Sequence, residues 1–450
     1  MTRVDDVSRL KPIDAYCFLA NASAFRQSTG ESYIWPLPLR VCRAKPVESC
    51  EMYMGKKRRR SKRTQDVWDG AVQELWKRIQ DTGRNDPCWC DSGEKYKRCH
   101  MNRSQEEPLR TYEYIKVIRK FFDKGYCLHP KAGPASCVGP IVRAHTVSRS
   151  GSLNHIARDG HVYTFSSAQN LSNGDLIAPR LVGIRHASTF TGFCKRHDNI
   201  TFEPIERYPF LSTPQHTFLL GYRALCHKLF LKKANVEWIF PYQRRHLDRG
   251  KSVEEQMMIQ YQIHHLEWGN TLGLNDLIHY KSAYDKALLA EDFSNVSYYV
   301  IRLSNTPDFL CSAPHMPDID FEGNVLQDIT DTSIVVDHLT FSLIATNSGG
   351  AIVFSWHGKS DSAEQFVNSL HNLSDHALPH AIVRFTFEYF ESVFASPKWW
   401  EELNDAARQR LLQRMWAGLP STGRTLDCLL DEGLRVVNWT VASRETNLSL

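Results

Sequence analysis

Four soft donors stand close together in this 450-residue chain: Cys88, Cys90, Cys99 and His100, carried on the stretch Gly83-Arg84-Asn85-Asp86-Pro87-Cys88-Trp89-Cys90-Asp91-Ser92-Gly93-Glu94-Lys95-Tyr96-Lys97-Arg98-Cys99-His100. Two thiolates on one arm of a Gly-containing loop, then a thiolate and an imidazole after eight intervening residues, fit the tetrahedral N/S shell of a structural zinc. A looser series follows: Cys127-x9-Cys137-x7-His145, then 48 residues, then Cys194-x2-His197-Asp198. Six of the twelve cysteines (Cys88, Cys90, Cys99, Cys127, Cys137, Cys194) therefore fall in one histidine-rich region. That clustering reads as metal binding in a reducing compartment, not as a disulfide framework. Cys17, Cys42, Cys50, Cys226, Cys311 and Cys428 are scattered and read as small buried hydrophobes.

The first stretch resembles the SEC-C motif, the zinc-binding tail of the SecA translocation ATPase that recurs as an accessory module in bacterial proteins. All four ligand positions match, as do Gly83 to Pro87, Ser92-Gly93 and Lys95-Tyr96. Trp89, Asp91 and Glu94 depart from it, standing where the family usually has Pro, Gly and Lys. The second series resembles, in order, the treble-clef zinc site of the ββα-metal nucleases, the HNH family. This resemblance implies a second zinc on Cys127, Cys137, Cys194 and His197, with His197 in place of the usual second cysteine of the final pair. It makes His145, in the dipeptide Ala144-His145 ending a strand, the general base. It puts Asp198 where the family has its metal-binding histidine, and Thr189 where a polar residue, commonly Asn, steers the base. The chemistry is coherent: a neutral imidazole with a pKa near 6.5 takes a proton from water, while one Mg²⁺ or Mn²⁺ polarises the phosphoryl group.

Residue by residue, plainer readings stand beside this one. His145 alone reads as a core histidine, and Asp198, followed by Asn199, as a cap or turn residue. Cys127-x-His129 also has ligand-like spacing, so His129 is an alternative to Cys137. His155, His161 and His186 lie in the same region as further candidates for metal-binding or supporting roles.

The elements that must position these groups follow from periodicity. Residues 1–64 show breakers (Pro12, Pro36, Pro38, Pro46) and no sustained period, and read as a loosely ordered leader. Trp68, Val72, Leu75, Trp76 and Ile79 fall on one face of a helix that runs into the knuckle, giving a unit over 65–104. A unit over 105–210 is expected to hold a helix from about Leu109 to Phe122, strands at Ile141 to His145 and His161 to Phe165, and the nuclease-like site. Thr213-Pro214 opens an apolar helix within a helical region over 211–290. An α+β unit over 291–450 has strands near 298–303, 339–345 and 351–356 and helices near 362–373 and 397–415. Neither a P-loop, a Gly-x-Ser-x-Gly elbow nor a Rossmann glycine pattern occurs in it.

The expected fold is therefore α+β and multidomain: a zinc knuckle, a treble-clef-like ββα region, a helical middle and a mixed C-terminal unit. Hydrophobic content of 42% suffices for ordinary cores, and no apolar run approaches a membrane span, so the expected location is cytoplasmic, with no membrane partner. The expected function is metal-dependent phosphodiester cleavage with two structural zinc ions, possible in bacterial defence; the alternative is a non-enzymatic adaptor docking to protein or ribosome partners through the knuckle. Charge bears on the partner. Residues 1–110 hold 22 Lys and Arg against 15 Asp and Glu, whereas the remaining 340 hold 33 against 35. The excess is concentrated in Lys56, Lys57, Arg58, Arg59, Arg60, Lys62 and Arg63, a run suited either to nucleic-acid phosphates or to a solvated arm. If it binds phosphates, replacing its seven charges is expected to weaken nucleic-acid binding and flatten the plot of log K against log salt by about 0.7–0.9 per lost contact. An unchanged slope assigns the run to a solvated arm.

Overall fold

The computed structural model describes residues 73–167, 177–329, 331–417 and 424–450. The leader, the basic run Lys56 to Arg63 and the expected start of the first helix lie outside them. Helix α1 covers 73–81 and leads into the knuckle. Helix α2 (Thr111–Asp123) buries Tyr114, Ile118 and Phe122, the i, i+4, i+8 stripe of an amphipathic helix. Strand β1 (Ile141–His145) follows. The chain then makes an excursion through the antiparallel hairpin β2 (His161–Ser167) and β3 (Ile177–Gly183), and returns as β4 (Thr189–Cys194) to pair antiparallel with β1. Helix α3 (Lys195–Glu206) starts where β4 ends, so β1, β4 and α3 together form a small ββα unit.

Helix α4 (Pro214–Ala234) opens as expected, with Thr213 accepting from the His216 amide and Pro214 in the first turn, and is buried along nearly its whole length. A π-turn (Asn235–Ile239) joins it to α5 (Phe240–His246), and α6 (Val253–Ala290) begins in a Ser252/Glu255 capping box. The last third supplies β5 (Val296–Leu303), β6 (Phe309–His315), β7 (Leu339–Thr346), β8 (Gly349–His357), β9 (Val393–Ala395) and β10 (Val441–Thr446). It also carries helices α7 (Asp361–His371), α8 (Leu378–Tyr389), α9 (Pro397–Glu402) and α10 (Asp405–Ala417). The fold is α+β.

One eight-stranded antiparallel sheet in the order β10-β5-β8-β7-β6-β9-β2-β3 unites the C-terminal strands with the excursion hairpin. Both faces are covered. Tyr299, Ile301, Phe341, Leu343, Ile352, Phe354 and Trp356 point to the side of α7 and α8, while Val300, Ile344, Ala351 and Val353 pack with Leu220 of α4. With both faces covered, β7 and β8 are buried along nearly their whole length, small hydroxyls included. Pro179 is tolerated because β3 is an edge strand, and Pro314 lies past the end of β9, which pairs only with Phe309 to Cys311. Among the described residues no helix is long and apolar enough to cross a membrane.

The sheet face toward α4 carries small hydroxyls: Thr340 bonds Ser355, Ser312 bonds Ser342, and Ser355 Oγ donates to the Thr217 carbonyl. These let the helix approach closely at Gly221, where an added Cβ would stand 2.5 Å from Thr340 Oγ1. Gly221→Ala is accordingly expected to cost about 1–3 kcal/mol through overpacking, read as a lower urea midpoint; an unchanged midpoint would show that this interface yields without cost.

Candidate metal centres

In the knuckle, Cys88 follows a bridge between Pro87 and Lys95, and Cys99 and His100 follow a single turn over Tyr96–Arg98. His100 Nδ1 lies 3.3 Å from Cys88 Sγ and 3.1 Å from Cys99 Sγ, and Cys90 and Cys99 sulfurs are 3.5 Å apart. Zinc bonds of about 2.0–2.3 Å at tetrahedral angles set ligand atoms about 3.5–3.8 Å apart; these three separations are within a few tenths of an ångström of that, and all four donors lie within 4.8 Å of one another. Asp91 and Gly93 take the positive φ angles that fold the loop between the two arms.

The knuckle is not a free appendage. Trp89, one of the departures from the family pattern, is 2% exposed and packs with Cys88, Ile79 and Met257 of α6, its ring 4.5 Å from that of His100. From the other side Arg103 donates to the carbonyls of Cys99 and Arg245, and the turn after α5 brings Asp248 to His100 Nε2 at 2.7 Å.

The second centre gathers the residues that the sequence order placed together. His197 Nδ1 lies 3.3 Å from Cys127 Sγ, 3.7 Å from Cys137 Sγ and 3.3 Å from Cys194 Sγ, and all four ligand atoms lie within 4.8 Å of one another. Cys194 is both the last residue of β4 and the N-cap of α3, its sulfur accepting the His197 amide. Cys127 and Cys137 arrive beside it because Tyr126 and Leu128 donate to the Thr191 and Gly192 carbonyls, while Lys195 and Arg196 donate to those of Pro140 and Val138. The alternative pairing through His129 is not adopted. His129 Nδ1 accepts the Lys131 amide, and its ring stacks on His197 at 4.0 Å with planes 6° apart.

His145, Thr189 and Asp198 lie around the same ββα unit. His145 ends β1, and Thr189, the first residue of β4, is its partner in backbone register. The Thr189 hydroxyl turns away, donating to the His186 carbonyl, and it is the Ile184 carbonyl that meets His145 Nε2 at 3.2 Å. Since a carbonyl only accepts, Nε2 carries the proton and Nδ1 keeps its lone pair. The His145 pKa is lowered to about 4, first by burial and then by Arg223 and Arg149, against the Ile184 bond and Glu206. Asp198 sits in the first turn of α3, next to the candidate ligand His197. Its Oδ1 is buried without a hydrogen-bond partner, 3.7 Å from the Arg223 guanidinium, and burial raises its pKa while Arg223 opposes the rise. Arg223, 1% exposed on α4, is held by Glu206 at 2.8 Å and lies over the Phe202 ring at 3.9 Å. Arg223 and Glu206 thus bear on both His145 and Asp198.

Comparison with known families decides the nature of the first centre. Residues 84–102 match the SEC-C motif. The chain thus carries that zinc-binding motif at Cys88, Cys90, Cys99 and His100. No curated protein and no solved structure matches the chain.

Elemental analysis is expected to return two zinc ions per chain, with Cys194→Ser and His197→Ala each removing one and lowering stability, because a structural ligand contributes folding free energy. A single zinc that survives Cys194→Ser would leave the second cluster metal-free.

Proposed function

We propose that the chain is a zinc-stabilised, metal-dependent nuclease acting on nucleic-acid phosphodiesters. The observation that carries this reading is the ββα unit itself. A four-ligand cluster pins β4 to α3 on one side, and the same strand pair and helix set an imidazole with a free Nδ1 and a carboxylate with an orphan oxygen around a common Arg223–Glu206 pair. Buried polar atoms without a hydrogen bond are rare, and Asp198 Oδ1, whose neighbour is the Arg223 guanidinium 3.7 Å away, is a carboxylate oxygen suited to a hard divalent cation.

In this reading His145 Nδ1 takes the proton of the attacking water, and the Ile184 carbonyl holds the ring in the tautomer that leaves Nδ1 free. Asp198 would hold Mg²⁺ or Mn²⁺, which when bound polarises the phosphoryl group and stabilises the leaving oxygen. Arg223 is too buried to reach substrate; its ion pairs position Asp198 and Glu206. Arg143, two residues before His145 and partly exposed, offers a cation on the same strand for the nucleic-acid backbone. The basic run Lys56 to Arg63 would extend that contact. The adaptor reading competes through the exposed knuckle residues Asp91, Glu94, Lys95, Lys97 and Arg98, which remain open to a protein partner.

His145→Ala and Asp198→Ala are each expected to lower Mg²⁺- or Mn²⁺-dependent cleavage of DNA or RNA by about two to four orders of magnitude while two zinc ions are retained. Wild-type cleavage in both variants, or none by the wild type on any nucleic acid, replaces the nuclease with the adaptor. A second measurement is the pH profile. A base with its pKa near 4 stays unprotonated until the medium is strongly acidic, so the rate is expected to fall as pH drops through about 4 and not near the ordinary histidine value.

A further inference from the structure

The zinc ligand His100 touches a carboxylate that the motif does not contain. His100 Nδ1 faces the thiolates, and its other ring nitrogen, Nε2, lies 2.7 Å from Asp248 Oδ2. The two residues are separated by 148 positions, and their side chains are 1% and 0% exposed. Asp248 is itself fixed on every side. Its Oδ1 accepts from Arg103 Nη1 at 2.9 Å, its Oδ2 accepts from Gln260 Nε2 at 2.6 Å, and Gln260 also donates to the Arg244 carbonyl. The turn carrying it is clamped by the Gly250 amide donating to the Arg103 carbonyl, and Gly250, at φ +69°, packs so tightly on Pro108 and the Glu106 carbonyl that no Cβ fits.

A metal-bound imidazole must present one nitrogen to the ion and carry its proton on the other. A carboxylate accepting that proton fixes the ring's orientation and raises the basicity of the ligating nitrogen. We propose that Asp248 is the positioning residue of the knuckle zinc, so that the SEC-C site is completed by a residue of the helical region and metal binding joins the knuckle to the helices α5 and α6. This proposal is independent of the nuclease reading, since it concerns the other metal centre.

The competing explanation is that Asp248 serves only as the buried counter-ion of Arg103. The two differ in what asparagine and the loss of the imidazole do. Zinc affinity of the full chain is measured by chelator competition, with the Cys127, Cys137, Cys194 and His197 cluster as an internal control in the same molecule. Asp248→Asn, which keeps an acceptor for the His100 N–H, is expected to weaken the knuckle site alone by about 10-fold, and Asp248→Ala by up to about 100-fold. In a His100→Cys background, where a fourth thiolate replaces the ring, Asp248→Ala is expected to change knuckle affinity by less than about threefold. Equal losses for Asn and Ala, an undiminished loss in the His100→Cys background, or no loss in either single variant would overturn the proposal. The comparison of Asn with Ala decides the matter alone should His100→Cys fail to retain zinc.

Discussion

Helix α4 is the constraint on which the rest of the structure depends, because it is apolar on every side yet carries Arg223, His227 and Lys232 inside. A helix buried all round must be enclosed, and here one side meets the large sheet at Gly221 and Leu220 while others meet α3, β4 and α6. Its interior polar groups then need partners, and Arg223 finds Glu206 and Asp198 on α3. Burying an ion pair costs desolvation that its attraction repays only with good geometry, so α3 is held in one orientation relative to α4. The candidate ligand His197 and Asp198 lie in the first turn of that oriented helix.

The two candidate metal centres solve different problems. The ββα unit has little core of its own beyond Phe190, Phe193 and Phe202, and its four-ligand cluster ties together the segment before β1, the end of β4 and the start of α3. The knuckle is smaller still, with Cys88 and Trp89 as its buried apolar residues, and it borrows Ile79 and Met257 from flanking helices. Replacing the family's proline by Trp89 therefore exchanges a turn former for a large apolar surface that seats the knuckle on α6.

Much of this was legible where a strong local rule applies. The boundaries of β1, the start of α4 and the four knuckle ligands follow from a short strand-forming run, a Thr-Pro cap and ligand spacing, each a local signal. Elements whose local signal points elsewhere were not. Helix α8 opens Leu-Pro-His and continues Ala-Ile-Val-Arg-Phe-Thr-Phe, a sequence rich in strand formers that is helical because nearly every residue is buried against the sheet. The single helix expected over 397–415 is two, since Leu403 is extended and Asn404 caps the second through the Ala407 amide. Strand β6 carries no such signal, because Phe309 to His315 neither alternates nor avoids proline. At the sites, donors that a metal must gather leave a spacing in the chain. Asp248, Arg223 and the Ile184 carbonyl leave none, because tertiary packing alone brings them in, and a backbone carbonyl is the same for every residue type.

That carbonyl has a consequence for how the molecule is geared. Ile184 belongs to neither β1 nor β4; it follows β3, and its own amide is tied to Gly160 at the other end of the excursion hairpin. The hairpin in turn is hung on β9, and with Leu310, Ala345 and Phe394 it builds a core shared with the C-terminal strands. The proton's address on the imidazole of His145 is thus set by a loop whose footing lies in the far sheet. The footing of that sheet edge therefore bears on the ring of His145, and the last third of the chain helps to hold the tautomer of a residue in the first.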